Sequence, residues 1–141
     1  MTIGAILHGR TGPVISARPA DTVRAVVDLL AQYRIGAVPV VEGDAIVGIF
    51  SERDLVRLMS SYGPEALDRS LDEVMTKSPV TCDSGMAVIG ALSQMTQKRI
   101  RHLPVVDGDA VLGVVSIGDL VKAVIEDQQV EIDQLQRYIA S

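Results

Sequence analysis

The sequence predicts a mixed α/β (α+β) fold built from two copies of one β-α-β-β-α unit, followed by a C-terminal helix. Three observations lead to this prediction. Residues 14–57 align with residues 79–122 at a shift of 65 positions, and fifteen of the 44 aligned pairs are identical. Of the 44 Val, Ile and Leu residues in the chain, 32 are β-branched, which favours strands. Each copy alternates a helical apolar spacing with the pattern of a hairpin.

Each copy opens with a short apolar step and continues into a helix. The steps are residues 14–16 and 80–82. In residues 22–33 and 86–98, apolar side chains recur three and four positions apart, which places them on one face of a helix. Each copy therefore begins with a strand-like segment and an amphipathic helix.

A hairpin and a second helix complete each copy. The predicted strands are residues 37–41, 45–50, 102–106 and 110–115. The triplets Glu-Gly-Asp and Asp-Gly-Asp stand between the strands, and their glycine has the backbone freedom that a tight turn needs. The second helix is expected to begin at Ser51 in the first copy and at Ser116 in the second.

The chain is predicted to divide into four parts. They are repeat one at 2–61, a linker with a short helix at 62–78, repeat two at 79–124 and a helical tail at 125–141. One unit of about 50 residues is marginal alone, so the two are expected to pack sheet to sheet around one core. The tail places apolar residues and one glutamine at heptad spacing over two heptads, which predicts a helix packed on its own domain or on a dimer mate. These residues are Ile125, Gln128, Ile132, Leu135 and Ile139.

Composition argues against several classes of protein. A net charge of -5 and a pI near 4.9 argue against broad nucleic-acid binding, which needs a basic face. No apolar run approaches the roughly 18 residues of a membrane span, and the N-terminus lacks the pattern of a signal peptide. We therefore expect a cytoplasmic protein without a membrane partner.

The single cysteine, Cys82, excludes an internal disulfide and a cysteine-cluster metal site. No catalytic motif is present, so we expect neither enzyme activity nor a catalytic cofactor.

The most informative residues follow each hairpin, where Ser51 and Asp54 in the first copy match Ser116 and Asp119 in the second. Two interpretations fit them. A serine at the N-cap and an aspartate three residues later form a capping box that only begins the helix. Alternatively, the helix N-terminus attracts an anion and the carboxylate accepts hydrogen bonds from a ribose diol, which together suit a nucleoside phosphate.

These segments resemble the cystathionine β-synthase (CBS) domain. The resemblance rests on an apolar-Pro-Val-Val sequence before each turn and on Gly-apolar-apolar-Ser-x-x-Asp after it, and it covers residues 2–124. The chain is similar to a stand-alone pair of CBS domains, called a Bateman module, with no catalytic domain attached. The resemblance implies pseudo-two-fold symmetry between the repeats and two clefts that bind adenosyl ligands: AMP, ADP, ATP, S-adenosylmethionine or NAD.

The resemblance also implies the residues of each cleft, because each cleft combines the Ser-x-x-Asp of one repeat with residues of the other. Site one would contain Ser51, Arg53, Asp54, Val80, Cys82, Arg101 and His102. Site two would contain Ile15, Ala17, Gly36, Ala37, Ser116 and Asp119. Site one has two arginines and a histidine to meet a phosphate, whereas the matching positions of site two are Gly118, Gly36 and Ala37. We therefore expect site one to bind a phosphate more tightly, and site two to hold a nucleoside or nothing.

Two of these side chains have simpler interpretations. His102 begins a strand and is either an exposed or satisfied strand residue or a phosphate contact that strengthens on acidification. Cys82 is expected to be a small packed side chain rather than a redox centre, because the chain has no second cysteine.

Two functions follow as hypotheses. The first is a non-catalytic sensor that binds an adenine nucleotide, AMP or ATP foremost, as a regulatory ligand and signals to a regulated protein by a conformational change. The alternative is a structural dimerisation or protein-interaction module without a physiological nucleotide. The resemblance also implies a homodimer formed through the exposed helices of the repeats, which carry aliphatic residues at 55–59 and 121–125.

Overall fold

A computed structural model describes residues 1–10 and 12–140. Thr11, in the predicted first repeat, and Ser141, which ends the predicted tail, lie outside the described residues. The helices are α1 Ile3–His8, α2 Val23–Tyr33, α3 Glu52–Tyr62, a 3-10 helix Gly63–Asp68, α4 Leu71–Val74, α5 Val88–Lys98 and α6 Ile117–Ala140. The strands are β1 Ala37–Glu42, β2 Ala45–Ser51, β3 Thr76–Lys77, β4 His102–Asp107 and β5 Ala110–Ser116.

The two predicted hairpins are present and share one register. Strands β1 and β2 pair antiparallel with Val38 opposite Phe50, and β4 and β5 pair with Leu103 opposite Val115. The turn glycine Gly43 has a φ of +62°, a conformation that its lack of a Cβ allows. The short strand β3 adds to β2, so the first repeat has a three-stranded sheet and the second a two-stranded one. The duplication seen in the sequence is therefore a duplication of structure.

The apolar steps at residues 14–16 and 80–82 do not form strands. The hairpins instead gain single parallel bridges from Ala17, which follows the first step, to Val40 and from Cys82, which ends the second, to Val105. The chain turns immediately afterwards, since the amide of Asp21 donates to the carbonyl of Arg18 at 3.0 Å in the first repeat. This turn ends the pairing on the C-terminal side of the bridge.

The expectation of one shared core is wrong, because the repeats bury two separate cores. The first core contains Val23, Val26, Val38, Val40 and Phe50, each fully buried. The second contains Val88, Ala91, Met95, Leu103 and Val105, of which Val88 is 3% exposed and the others are 1% exposed or less. Each helix α2 or α5 covers one face of its own hairpin, as the helical spacing of their apolar residues predicts.

Each core is completed by the segment that precedes the other repeat. Helix α1, which the chain order assigns to the first repeat, packs on the second core with Ile3 fully buried. The linker helix α4 packs on the first core through Leu71. Equivalent backbone hydrogen bonds fix both segments, from the amide of Ile3 to Met86 O at 2.9 Å and from Leu71 to Asp21 O at 2.8 Å. The two spatial units therefore exchange their leading segments, α1 and α4.

The predicted tail is continuous with the second helix of repeat two, and together they form the 24-residue helix α6. Its first two turns pack on the second core through Leu120 and Val124. Further along, apolar side chains are 47–81% exposed: Ile125, Ile132, Leu135 and Ile139. Across the described residues, we find no helix with the length and apolar character that crossing a membrane requires.

Candidate functional site

Both Ser-x-x-Asp segments form capping boxes at helix N-termini. The amide of Ser51 donates to Asp54 Oδ2 at 2.9 Å, and the amide of Asp54 donates to Ser51 Oγ at 3.3 Å. In the second repeat, Ser116 donates to Asp119 Oδ2 at 2.8 Å and receives the amide of Asp119 at 3.1 Å. The predicted capping boxes are confirmed, and the same helix starts place each carboxylate in the lining of a cleft.

Cleft one lies between the repeats and has a volume of about 260 Å³. It brings together six of the seven residues predicted for site one. From the first repeat these are Ser51, Arg53 and Asp54, and from the second Val80, Arg101 and His102. Because neither repeat supplies the whole set, this cleft exists only while the two repeats stay in place relative to each other.

Cleft two lies on the other side of the same junction and is larger, at about 660 Å³. It brings together five of the six residues predicted for site two: Ile15, Gly36, Ala37, Ser116 and Asp119. Binding sites for small molecules typically enclose about 300–1,000 Å³. Cleft two falls within that range, and cleft one is slightly below it.

The structure does not bring Cys82 or Ala17 into these clefts. Both sit at the parallel bridges, where the pairing turns their side chains into the two cores, and they are only 7% and 2% exposed. Their backbone groups are also used, since the amide of Cys82 donates to Pro104 O at 3.0 Å and that of Ala17 to Pro39 O at 3.0 Å. Burial, together with the negative charges of nearby aspartates, raises the pKa of Cys82 to about 11. The side chain is thus a packed neutral thiol.

Four arginines line the clefts without having been assigned to them from the sequence, and Arg57 in cleft one is one of them. Arg99 lines cleft one and Arg34 lines cleft two, and each ends a helix with a positive φ of 55° or 53°. Their signal was present in the sequence, because the dipeptide Arg-Ile recurs at the same place in both repeats. Arg10 also lines cleft two. No sequence pattern predicts this position, because Arg10 follows α1, which precedes the first repeat but packs on the second.

The two clefts differ in positive charge. Cleft one is lined by four arginines, Arg53, Arg57, Arg99 and Arg101, and cleft two by Arg10 and Arg34. Guanidinium groups match the geometry and charge of a phosphate. Cleft one is therefore the more favourable place for a polyanionic group, although the argument from sequence overlooked two arginines in each cleft.

His102 stands at the boundary of the clefts and lines both. A Cβ built on Gly36 would lie 2.9 Å from His102 Nε2, so the imidazole packs directly on the backbone of the first repeat. Burial lowers the pKa of His102 below its ordinary value of 6.5, and Arg101 adds to this effect. The carboxylates that oppose it are those of Glu52, Asp119 and Asp54. At neutral pH the imidazole is neutral, and it gains charge only on acidification.

The described residues do not form a metal centre. Among residues 1–10 and 12–140, no group of three or more His, Cys, Asp and Glu side chains is arranged to hold an ion. The chemistry that the clefts offer is recognition of an anion and of a hydroxylated group.

Comparison with known proteins identifies both repeats. The CBS domain model matches residues 5–61 and 71–126. The chain is 36% identical over 124 residues to the CBS domain-containing protein CBSX3, mitochondrial, of Arabidopsis thaliana, covering 84% of this chain but 60% of that protein. It is 32% identical over 110 residues to the CBS domain-containing protein YhcV of Bacillus subtilis, covering 78% of each.

Solved structures have the same fold. A protein with CBS domains from Burkholderia ambifaria MC40-6 superimposes with a TM-score of 0.83 and 35% identity, over 91% of this chain and 96% of that one. CBSX2 in complex with AMP has a TM-score of 0.73 and 23% identity, over 90% and 98%. The CBS domain pair of protein MJ0100, in complex with 5-methylthioadenosine and S-adenosyl-L-methionine, has a TM-score of 0.79 and 22% identity, over 90% and 98%.

Proposed function

Because the chain belongs to the CBS domain family, we propose that it is a non-catalytic regulatory module that binds adenosyl nucleotides in the clefts between its two repeats. AMP and ATP are the foremost ligands, and NAD and S-adenosylmethionine belong to the same class. A ligand that touches both repeats favours one arrangement of them, and a partner protein reads that arrangement.

The composition of cleft one carries this proposal. Asp54 lies at the N-terminus of α3, where a carboxylate is placed to accept hydrogen bonds from the hydroxyls of a ribose. Arg101 and Arg53 come from different repeats and supply positive charge for a phosphate. Ile100 and Val80 provide an apolar wall for a base. A module that only docked another protein would not need this combination, and the complexes of CBSX2 and MJ0100 support adenosyl ligands for this fold.

We expect cleft one to bind the phosphate more tightly than cleft two. Four arginines against two support this order. A second contribution comes from the carboxylates, because Asp119 in cleft two is already paired with Arg10 at 2.7 Å, and a ligand must displace that contact.

Isothermal titration with AMP, ATP, NAD and S-adenosylmethionine tests the proposal. Replacing Asp54 with Ala should weaken AMP binding about 10-fold or more, since hydrogen bonds to a charged group contribute about 1.5–3 kcal/mol. Asp119→Ala is the matched control, because it removes the same capping box from the other cleft. The Asp54→Asn variant retains an acceptor for the amide of Ser51 and separates the loss of charge from the loss of the cap.

Two results would count against the proposal. If all four ligands bind more weakly than about 1 mM, or if neither aspartate variant changes binding, the clefts are not adenosyl sites. If only Asp119→Ala abolishes AMP binding, the order of the two clefts is wrong.

The alternative function, an interaction module that dimerises and docks a partner, is favoured by a different observation. Helices α3 and α6 expose aliphatic side chains on the outside of the repeats, with Val56 67% exposed and Val121 43% exposed. A second copy of the chain would cover these residues in a homodimer. Sedimentation of the wild type and of a Val56→Glu variant measures this. A dimer that the variant dissociates, in a protein that binds none of the four ligands, would favour the alternative.

A further inference from the structure

Arg10 crosses from the end of α1 into cleft two on the second repeat. Its Nη1 donates to the carbonyl of Val114 at 2.7 Å, and its Nη2 contacts Asp119 Oδ2 at 2.7 Å. The same carboxylate oxygen accepts the amide of Ser116 at 2.8 Å. The guanidinium is thus held by two partners, one at the end of β5 and one in the first turn of α6.

This contact competes with the proposed role of Asp119. A ribose hydroxyl is a neutral donor, whereas Arg10 is a charged one, and hydrogen bonds between charged groups are roughly twice as strong as neutral ones. A ligand without negative charge would displace Arg10 from Asp119 without providing a new anionic partner for the guanidinium. A phosphate would offer it a replacement that matches its planar fork.

Cleft one has no such competitor. The hydrogen bond from Gly4 to Ser84 O is equivalent to that from Asp72 to Pro19 O, and this correspondence places Ser78 where Arg10 stands. Ser78 lines cleft one and carries no charge. Within the described part of the chain, the side chain of Asp54 accepts hydrogen bonds only from Ser51 and forms no ion pair. The two cleft aspartates therefore differ in one respect, because the N-terminal segment supplies Arg10 to Asp119 and no arginine is paired with Asp54 within the described residues.

We propose that Arg10 determines the specificity of cleft two, making it select phosphorylated adenosyl nucleotides over unphosphorylated adenosyl compounds. This inference rests on the proposed function and differs from the expectation that cleft two would hold a nucleoside or nothing. When a nucleotide binds, the guanidinium passes from Asp119 to the phosphate, and Asp119 turns to the ribose hydroxyls. The exchange conserves one charged contact and gains the hydroxyl contacts.

Titrations of AMP and adenosine against an Asp54→Ala variant, in which cleft one is weakened, test the inference at cleft two. In this parent, AMP should bind at least about tenfold more tightly than adenosine. Adding Arg10→Gln should strengthen adenosine binding by about threefold and weaken AMP binding by a similar factor, so a tenfold preference nearly disappears. Arg10→Lys retains the charge without the planar fork and should give an intermediate preference.

Arg24→Gln is the matched control, because Arg24 forms a similar exposed pair with Asp68 at 3.3 Å away from both clefts. An Arg10→Gln variant with the same preference as Arg24→Gln would overturn the inference and leave the proposed function intact. The inference would also be overturned if the Asp54→Ala parent bound neither ligand while the wild type still bound AMP through cleft one. A wild type that binds no adenosyl ligand would refute both the inference and the proposed function.

Discussion

Helix α1 should stabilise the second repeat, although it precedes the first, and replacing Ile3 with Ala tests this. Ile3 is fully buried in the second core. The substitution removes three carbon atoms, which at about 0.8 kcal/mol each corresponds to about 2.4 kcal/mol of lost burial. The cavity that remains raises the expected loss in the free energy of unfolding to about 3–4 kcal/mol. That is a large share of the roughly 5–15 kcal/mol by which domains are stable.

Urea denaturation followed by circular dichroism measures the loss. Ile89→Ala is the control, because Ile89 is 65% exposed on α5 and its truncation should change stability by no more than about 0.5 kcal/mol. Two double-mutant cycles that use the milder substitution Ile3→Val then show which core Ile3 contacts. Ile3→Val should couple by about 0.5 kcal/mol or more with Val105→Ala in the second core. It should be additive with Val40→Ala, the equivalent change in the first core.

A decrease in the free energy of unfolding of less than about 1 kcal/mol for Ile3→Ala would refute the reasoning. So small a decrease would show that Ile3 does not anchor α1 in the second core. Coupling to Val40 rather than to Val105 would show that α1 packs on the repeat it precedes.

Four further outcomes are expected. AMP affinity should rise more steeply for the wild type than for His102→Asn as the pH falls from about 7.5 to about 5.5, because protonation adds charge beside the phosphate; equal profiles in titration calorimetry would contradict this. In the free protein, the lowered pKa of His102 means that the unfolded chain binds the proton more readily, so stability should fall below about pH 6.5, and less so in the variant. Alkylation of Cys82 by iodoacetamide at about pH 8 should be at least about tenfold slower in the folded protein than in urea, since its pKa is raised to about 11 and the thiol is buried; comparable rates measured by mass spectrometry would show an accessible thiolate. Gly48→Ala should cost about 1–3 kcal/mol in thermal denaturation, because its Cβ would overlap Met75 Sδ and lie 2.9 Å from Met75 Cγ; Gly9→Ala, whose Cβ has only an ordinary contact at 3.7 Å, is the control, and equal melting temperatures would refute the overlap.

Much of the fold is readable from local patterns. The spacing of Val23, Val26 and Leu30 predicts α2 to within one residue of its observed start, and the glycine triplets predict both hairpin turns. Such patterns succeed because helices and hairpins depend on neighbours a few residues away. The opening strands fail because a single bridge at Ala17 or Cys82 has no local signature distinct from that of a longer strand.

The site divides in the same way. The Ser-x-x-Asp segments, the cluster of Arg53, Arg101 and His102, and the two-cleft arrangement follow from the duplicated sequence and from its resemblance to the CBS domain. The positions of Cys82 and Ala17 do not, since the direction in which a bridge residue points is set by the core beneath it.

The sequence by itself determined that this protein is a duplicated α/β unit and where its capped helices begin, because each of those features is encoded within one repeat. Only the tertiary structure decided which segment completes which core, and hence that Arg10 meets Asp119, 109 residues away along the chain. The hydrophobic periodicity of the sequence cannot predict such a contact, since the contact arises from packing between α1 and the second core. The charge of cleft two was therefore missing from the sequence argument and is present in the folded chain.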